Sequence, residues 1–287
     1  MREKPSRRQE YVQEQTNLVR QACLYVATKL GDLMDDLVIV GGLVPTLLVQ
    51  QDGLPDGVDR HVGTLDLDVG LEVALLEDQR YRDLTDRLRR AGFRQDVNEQ
   101  GNPTRQRWRV EEPRGASVTI DFLIQPTRPG DRGGLLRDIE RDFAAIITPG
   151  LHLAFLDRQS VALDGTTLRG EVARRDIWAC GPGAYVVLKA LAFRARGENK
   201  DAYDLHYVLK YFGSGVEDVA TRLAPLLGDE QARRALAILR DDFLEHHGLG
   251  PRRVAEFISG GQHDDIQADV VGFVRALLTR LQPRAGP

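Results

Sequence analysis

Apolar residues recur at helical spacing over residues 7–32, where Leu18, Ala22, Val26 and Leu30 line one side with Cys23 and Leu33 beside them. The run Leu37-Val38-Ile39-Val40 predicts a short buried strand. Gly41-Gly42 follows at once, and Leu43 to Gln50 reads as a helix with Pro45 tolerated in its first turn. Gln51 to Val62 is polar, contains Gly53, Pro55 and Gly57, and predicts a loop. Gly63 to Leu71 then alternates as GTLDLDVGL. A strand there turns Leu65, Leu67 and Val69 toward a core and sets Asp66 and Asp68 together on the other face.

Further along, Glu77 to Arg90 predicts an amphipathic helix with Leu84 and Leu88 inward, ended by Gly92. Phe93 to Val97 predicts a strand and Asn98 to Thr104 a loop. Gln106–Glu111 and Ser117–Ile124 form the two arms of a hairpin, with turn chemistry at Pro113-Arg114-Gly115. Arg128 to Gly134 is loop, and Leu151 to Leu163 with Val172 to Trp178 reads as strand or irregular structure. Character changes at Gly181-Pro182-Gly183. Beyond it the period is helical over 184–196, 201–212, 216–227, 229–246, 251–258 and 265–282. The first of these helices places Val187, Leu188, Leu191 and Ala192 on its apolar side, and the second Leu205, Val208 and Leu209. The expected class is α+β: a mixed sheet with helices over residues 1–180, then a helical domain over 181–287.

Composition narrows this little. A chain of 287 residues, 42% hydrophobic and 29% charged, is long enough for one large or two ordinary globular domains. A net charge of −4 gives no global attraction to nucleic acid, although arginines at 105, 107, 109, 174 and 175 form a candidate local track. Lysine occurs only at positions 4, 29, 189, 200 and 210, which draws attention to Lys189 and Lys200. Cys23 and Cys180 lack zinc-site spacing. No signal peptide or membrane-spanning run is apparent, so a cytoplasmic protein is expected.

Asp66 and Asp68 carry the first candidate chemistry. Two carboxylates so close repel each other and invite a cation, and oxygen-only ligands suit Mg²⁺ or Mn²⁺. A polar edge strand is the plain alternative. Asp121 lies inside the apolar strand Val118–Ile124, where a lone charge is costly unless paired or bound to a metal. Arg107 or Arg109 offers the pair; a triad with Asp66 and Asp68 offers the metal. Gly41-Gly42, between a strand and a helix, permits close backbone approach to an anion.

In this order the parts resemble the polymerase-beta-like nucleotidyltransferase fold, with its Gly-Gly loop at Gly41-Gly42, its metal pair at Asp66 and Asp68 and its third carboxylate at Asp121. The stretch Lys189-Ala190-Leu191-Ala192-Phe193-Arg194, leading into Lys200-Asp201-Ala202-Tyr203-Asp204-Leu205, is similar to the AbiEii and MenT nucleotidyltransferase toxins of toxin–antitoxin systems. That resemblance spans about Val38 to Phe212. It implies active-site roles for Lys189, with Asp201 or Asp204, beside nucleotide contacts at Gly41, Gly42 and Thr64. The alternative for Lys189 and Asp201 is an ordinary helix surface. Relatives often carry an arginine two residues before the Thr or Ser ahead of the aspartate pair; here that position is Val62, with Arg60 and His61 just upstream.

The resemblance implies a metal-dependent enzyme that transfers a nucleotide from an NTP, CTP by family likeness, to an RNA acceptor such as the tRNA 3′ end. Asp66 and Asp68 hold the ion, and Asp121 serves as ligand, general base or both. Lys189 neutralises phosphate charge. A cognate antitoxin is the implied protein partner. Nucleotidylation of a small molecule or of a protein hydroxyl is the nearest alternative. A non-catalytic nucleotide- or RNA-binding protein is the alternative from another class.

Overall fold

The computed structural model describes residues 5–72, 78–112 and 115–282. These fall into two compact units: residues 12–47 with 62–180, and residues 5–11 with 48–61 and 181–282.

The first unit is α+β. Its elements run α1 (Gln13–Leu30), β1 (Leu37–Val40), α2 (Val44–Leu48, whose last residue falls in the second unit), β2 (Asp66–Leu71), α3 (Asp78–Arg90), β3 (Arg94–Val97), β4 (Pro103–Glu111), β5 (Ser117–Ile124), β6 (Leu136–Glu140), β7 (Phe143–Ile147), α4 (Leu153–Leu156), β8 (Arg158–Thr166) and β9 (Val172–Cys180). Among the described residues, one sheet takes the order β3-β4-β5-β2-β1-β9-β8, with β7 pairing both β5 and β6. It is mixed: β2–β5, β1–β9 and β5–β7 are parallel and the remaining pairs antiparallel. Leu37, Val38 and Ile39 are fully buried because β1 lies between two other strands. Leu67 and Val69 on β2 are buried as the alternation requires, while Leu65 lies outside the strand and is half-buried.

Several boundaries move. The first α-helix begins at Gln13, after a short 3-10 turn at Arg8–Glu10. The helix after Gly41-Gly42 is reduced to a 3-10 turn, Gly41–Leu43, and the five residues of α2. Pro103 and Thr104, expected in a loop, open β4. β6 and β7 were not expected. β6 is short and mostly polar, and β7 (FAAII) is a short apolar run that lacks the alternation of a half-exposed strand. The expected helix start at Glu77, and Pro113 and Arg114 of the expected turn, lie outside the described residues.

The second unit is helical: α5 (Pro182–Arg196), α6 (Asn199–Tyr211), α7 (Val216–Leu223), α8 (Glu230–Phe243), α9 (Leu249–Ser259) and α10 (Asp264–Arg280). α5 packs against α6, α7 and α8. Neighbours on several sides explain why its buried set differs from the expected apolar side. Tyr185, Val186, Val187, Lys189, Ala190 and Phe193 are buried, whereas Leu188, Leu191 and Ala192 are only half-buried. Leu205, Val208 and Leu209 of α6 are fully buried, as expected. Among the described residues no helix is long and apolar enough to cross a membrane.

Candidate functional site

Strand register builds the carboxylate site. β2 runs parallel to β5 with Asp68 opposite Asp121, and β4 runs antiparallel to β5 with Arg107 opposite Asp121. On the other side β1 places Val40 opposite Asp68. Residues level with one another in a sheet project from the same face, and so do residues two apart on one strand. Asp66, Asp68, Asp121 and Arg107 therefore share a face. Asp66, Asp68 and Asp121 each bring a carboxylate oxygen within 4.8 Å of the others'. Asp66 and Asp121 are buried and Asp68 half-buried.

At such spacing each like-charged pair repels by roughly 3 kcal/mol for an effective dielectric of about 20. A cation has to balance this. Arg107 supplies one: its Nε donates to Asp121 Oδ1 at 2.7 Å and its Nη2 to Oδ2 at 2.5 Å, while Nη2 also lies 3.9 Å from Asp66 Oδ2. The bond to Asp121 holds the Arg107 guanidinium above its ordinary pKa against partial burial, with the charges of Asp66 and Asp68 adding to it. Of the two arginines the sequence offered to Asp121, the structure selects Arg107; Arg109 pairs with Glu111 at 3.3 Å. The donor set is all carboxylate, with no nitrogen or sulfur among the three, and fits a hard divalent ion such as Mg²⁺ or Mn²⁺.

Two neighbours shape these carboxylates. Thr64 Oγ1 donates to Asp66 Oδ1 at 3.0 Å, which orients that side chain. Gly41, at φ +70°, lies so close to Asp68 that a Cβ there would stand 1.8 Å from Oδ2. Glycine at 41 is thus required both by its backbone conformation and by the Asp68 carboxylate. Gly42 is buried in the same turn. The 3-10 turn Gly41–Leu43 runs directly into the five-residue α2.

Lys189, Asp201 and Asp204 come together in the second unit. Lys189 Nζ lies 2.9 Å from Asp201 Oδ1 and 2.7 Å from Asp204 Oδ2. Lys200 Nζ donates to both Asp204 oxygens, at 2.7 and 2.9 Å, and Arg196 grips Asp201 through Nε and Nη2 at 2.6 and 2.8 Å. All but Arg196 are buried, so the helix-surface alternative for Lys189 and Asp201 is overturned. His61 completes the cluster. Its ring stacks on Tyr203, meets Tyr207 edge-on, and its Nε2 lies 2.9 Å from Asp204 Oδ1. Since the carboxylate only accepts, Nε2 carries the proton.

Partners outweigh burial at Asp201, Asp204 and Lys189, and burial outweighs partners at Lys200 and His61. Burial raises the Asp204 pKa, but Lys189, Lys200 and His61 outweigh it and the carboxyl sits below its ordinary range. Asp201 is likewise lowered, burial being overcome by Lys189 and Arg196. Burial lowers Lys189, yet Asp201 and Asp204 leave it raised, whereas Lys200 ends lowered by burial with Lys189 adding to the effect. Burial pushes His61 down to about 4 against the pull of Asp204. Arg60, by contrast, is exposed and pairs with Asp52 at 2.5 Å.

Comparison with protein-family models and with curated proteins finds no match. Among solved structures the chain is similar to an antigenic nucleotidyltransferase-like protein from Paracoccidioides brasiliensis. Identity is 18%, the TM-score 0.41, and the match covers 77% of this chain and 87% of that one. What the chain itself carries is an α+β unit with three aspartates gathered on its mixed sheet, followed in sequence by a helical region. That architecture agrees with the polymerase-beta-like nucleotidyltransferase fold. Arg196 escaped the sequence reading altogether; its only signal was a position five residues before Asp201, across a helix break at Gly197.

Proposed function

We propose that the protein is a metal-dependent nucleotidyltransferase whose NTP-derived nucleotide goes to an RNA acceptor, most simply the 3′ end of a tRNA. The observation that carries the reading is the set of three carboxylates within 4.8 Å on one sheet face. Asp66, Asp68 and Asp121 would hold Mg²⁺ or Mn²⁺. When bound, the ion supplies charge neutralisation at the triphosphate and a lowered pKa for the acceptor hydroxyl. Thr64 keeps Asp66 oriented, and the bare Gly41 backbone leaves Asp68 its place. Gly41 and Gly42 are the proposed backbone contacts of the nucleotide. Arg105 and Arg109 share the face of Arg107 on β4, but each is paired with a carboxylate, Asp138 and Glu111, so the RNA acceptor rests on the likeness to the AbiEii and MenT toxins.

Roles for Lys189, Asp201 and Asp204 in nucleotide binding rest on the likeness to AbiEii and MenT toxins, as do CTP as donor, the toxin role and an antitoxin partner. In the structure these three side chains hold one another. A second reading, a non-catalytic binding protein of the same fold, is favoured by the Arg107 clamp on Asp121.

The test is incubation with Mg²⁺, each labelled NTP in turn and total tRNA. Label in RNA that disappears with Asp66→Ala supports the proposal. Label confined to a small molecule or a protein supports transfer to those hydroxyls instead. Failure to bind any NTP in the presence of Mg²⁺ removes the enzymatic reading. Growth arrest on induction of the wild type and not of Asp66→Ala is the expected sign of a toxin.

A further inference from the structure

We propose that Arg107 is the resident counter-ion of the aspartate triad, displaced when a divalent cation binds, and that its freed guanidinium then grips a phosphate of the nucleotide. This rests on the nucleotidyltransferase reading and assigns Arg107 a phosphate-binding role within it.

Backbone register brings Arg107 to the triad: it is the cross-strand partner of Asp121, so the two side chains rise side by side from one face. Its fork engages both oxygens of Asp121, and the same Nη2 that donates to Oδ2 faces Asp66 at 3.9 Å. One guanidinium nitrogen thus stands between two of the three carboxylates that share a face. The neighbouring arginines have other partners. Arg105 pairs with Asp138 at 3.0 Å and Arg109 with Glu111 at 3.3 Å.

A guanidinium and a divalent ion held by the same carboxylates repel strongly at contact distance. Binding of the ion therefore requires Arg107 to leave. Leaving is mechanically simple. Arg107 stays 23% exposed on a long stem, so rotation about its side-chain bonds suffices and no strand has to shift. The fork that fits a carboxylate in two-point fashion fits a phosphate equally well, and such geometry is not reproduced by lysine. Exchange of partners would couple the arrival of the ion to the appearance of an anion-binding group beside it.

Mn²⁺ binding, followed by the loss of the free-ion EPR signal in the absence of nucleotide, tests the exchange. Arg107→Gln is expected to bind Mn²⁺ about tenfold more tightly than the wild type, because no competing cation has to be expelled. The same variant is expected to bind a non-hydrolysable NTP with Mn²⁺ about tenfold more weakly, and Arg107→Lys should recover only part of that loss. Asp66→Ala should abolish the Mn²⁺ site. Equal Mn²⁺ affinity in wild type and Arg107→Gln overturns the exchange and leaves the nucleotidyltransferase reading standing. Absence of an Asp66-dependent Mn²⁺ site in either protein overturns the triad as a metal site, and the exchange with it. Should Arg107→Gln fail to fold, the ¹⁵Nε–H resonance of Arg107 in the wild type decides. It should be protected from exchange without Mg²⁺ and lose protection with it; unchanged protection at saturating Mg²⁺ overturns the proposal.

Discussion

Asp68 Oδ2 fills the space that a side chain on Gly41 would need, standing 1.8 Å from the position of its Cβ. Gly41→Ala should therefore cost about 2–3 kcal/mol, combining a left-handed backbone with a displaced carboxylate. Gly57 is the control, since it also has a positive φ (+81°) but nothing within 4 Å of an added Cβ. Gly57→Ala should show only the backbone part, about 1–2 kcal/mol, and leave Mn²⁺ binding intact. Urea unfolding and Mn²⁺ titration of both variants check this. Equal losses in the two would show that the Asp68 contact is unimportant.

Asp66, Asp68 and Asp121 repel one another, and Arg107 balances only part of their charge. Without divalent ions, Asp68→Asn should raise stability by about 1 kcal/mol. The wild type should instead be stabilised by Mg²⁺, by about 2.7 kcal/mol at a hundred times its Kd. Thermal unfolding with and without Mg²⁺ separates the cases. A variant that gains as much from Mg²⁺ as the wild type would remove Asp68 from the metal site.

His61 titrates at about 4 in the folded protein and at 6.5 when unfolded. The unfolded chain then binds more protons between these values. The stability due to a neutral His61 is complete above pH 6.5 and is lost as pH falls toward 4, by about 3 kcal/mol in all. His206, also lowered by burial, adds to the same slope. Urea unfolding at pH 7, 5.5 and 4 should show a shallower decline in His61→Gln than in the wild type. Identical slopes would mean that His61 is not held neutral.

Lys189 faces two buried carboxylates, each with a second cation. Lys189→Met should cost about 3–5 kcal/mol by leaving that charge under-compensated. Adding Asp204→Asn should return part of the loss, a coupling that a double-mutant cycle reads directly. Additive effects would deny the pairing.

Much of the site was legible because strand alternation is a local property. Leu67 and Val69 between Asp66 and Asp68 assign the faces without reference to any other element, and Asp121 is conspicuous as a charge in an apolar strand. The choice between Arg107 and Arg109 was not legible, since both sit on β4 and only the register against β5 distinguishes them. Nor was the buried face of α5, where apolar residues on several sides leave the period ambiguous and Lys189 turns inward to Asp201 and Asp204.

By itself the chain determined most of the strands and helices, though not β6 and β7, that Asp66 and Asp68 would share a face, and that helices would take over after Gly181. Such features depend on spacing between near neighbours, which the order of residues states outright. Only the tertiary structure decided that Asp68 and Asp121 stand side by side, that Arg107 reaches from Asp121 toward Asp66, that Gly41 must be bare to admit Asp68, and that His61 closes the Lys189–Asp204 cluster. Those relations join residues from 14 positions apart, Arg107 to Asp121, to 143 apart, His61 to Asp204, and are set by register and packing. No local pattern encodes them.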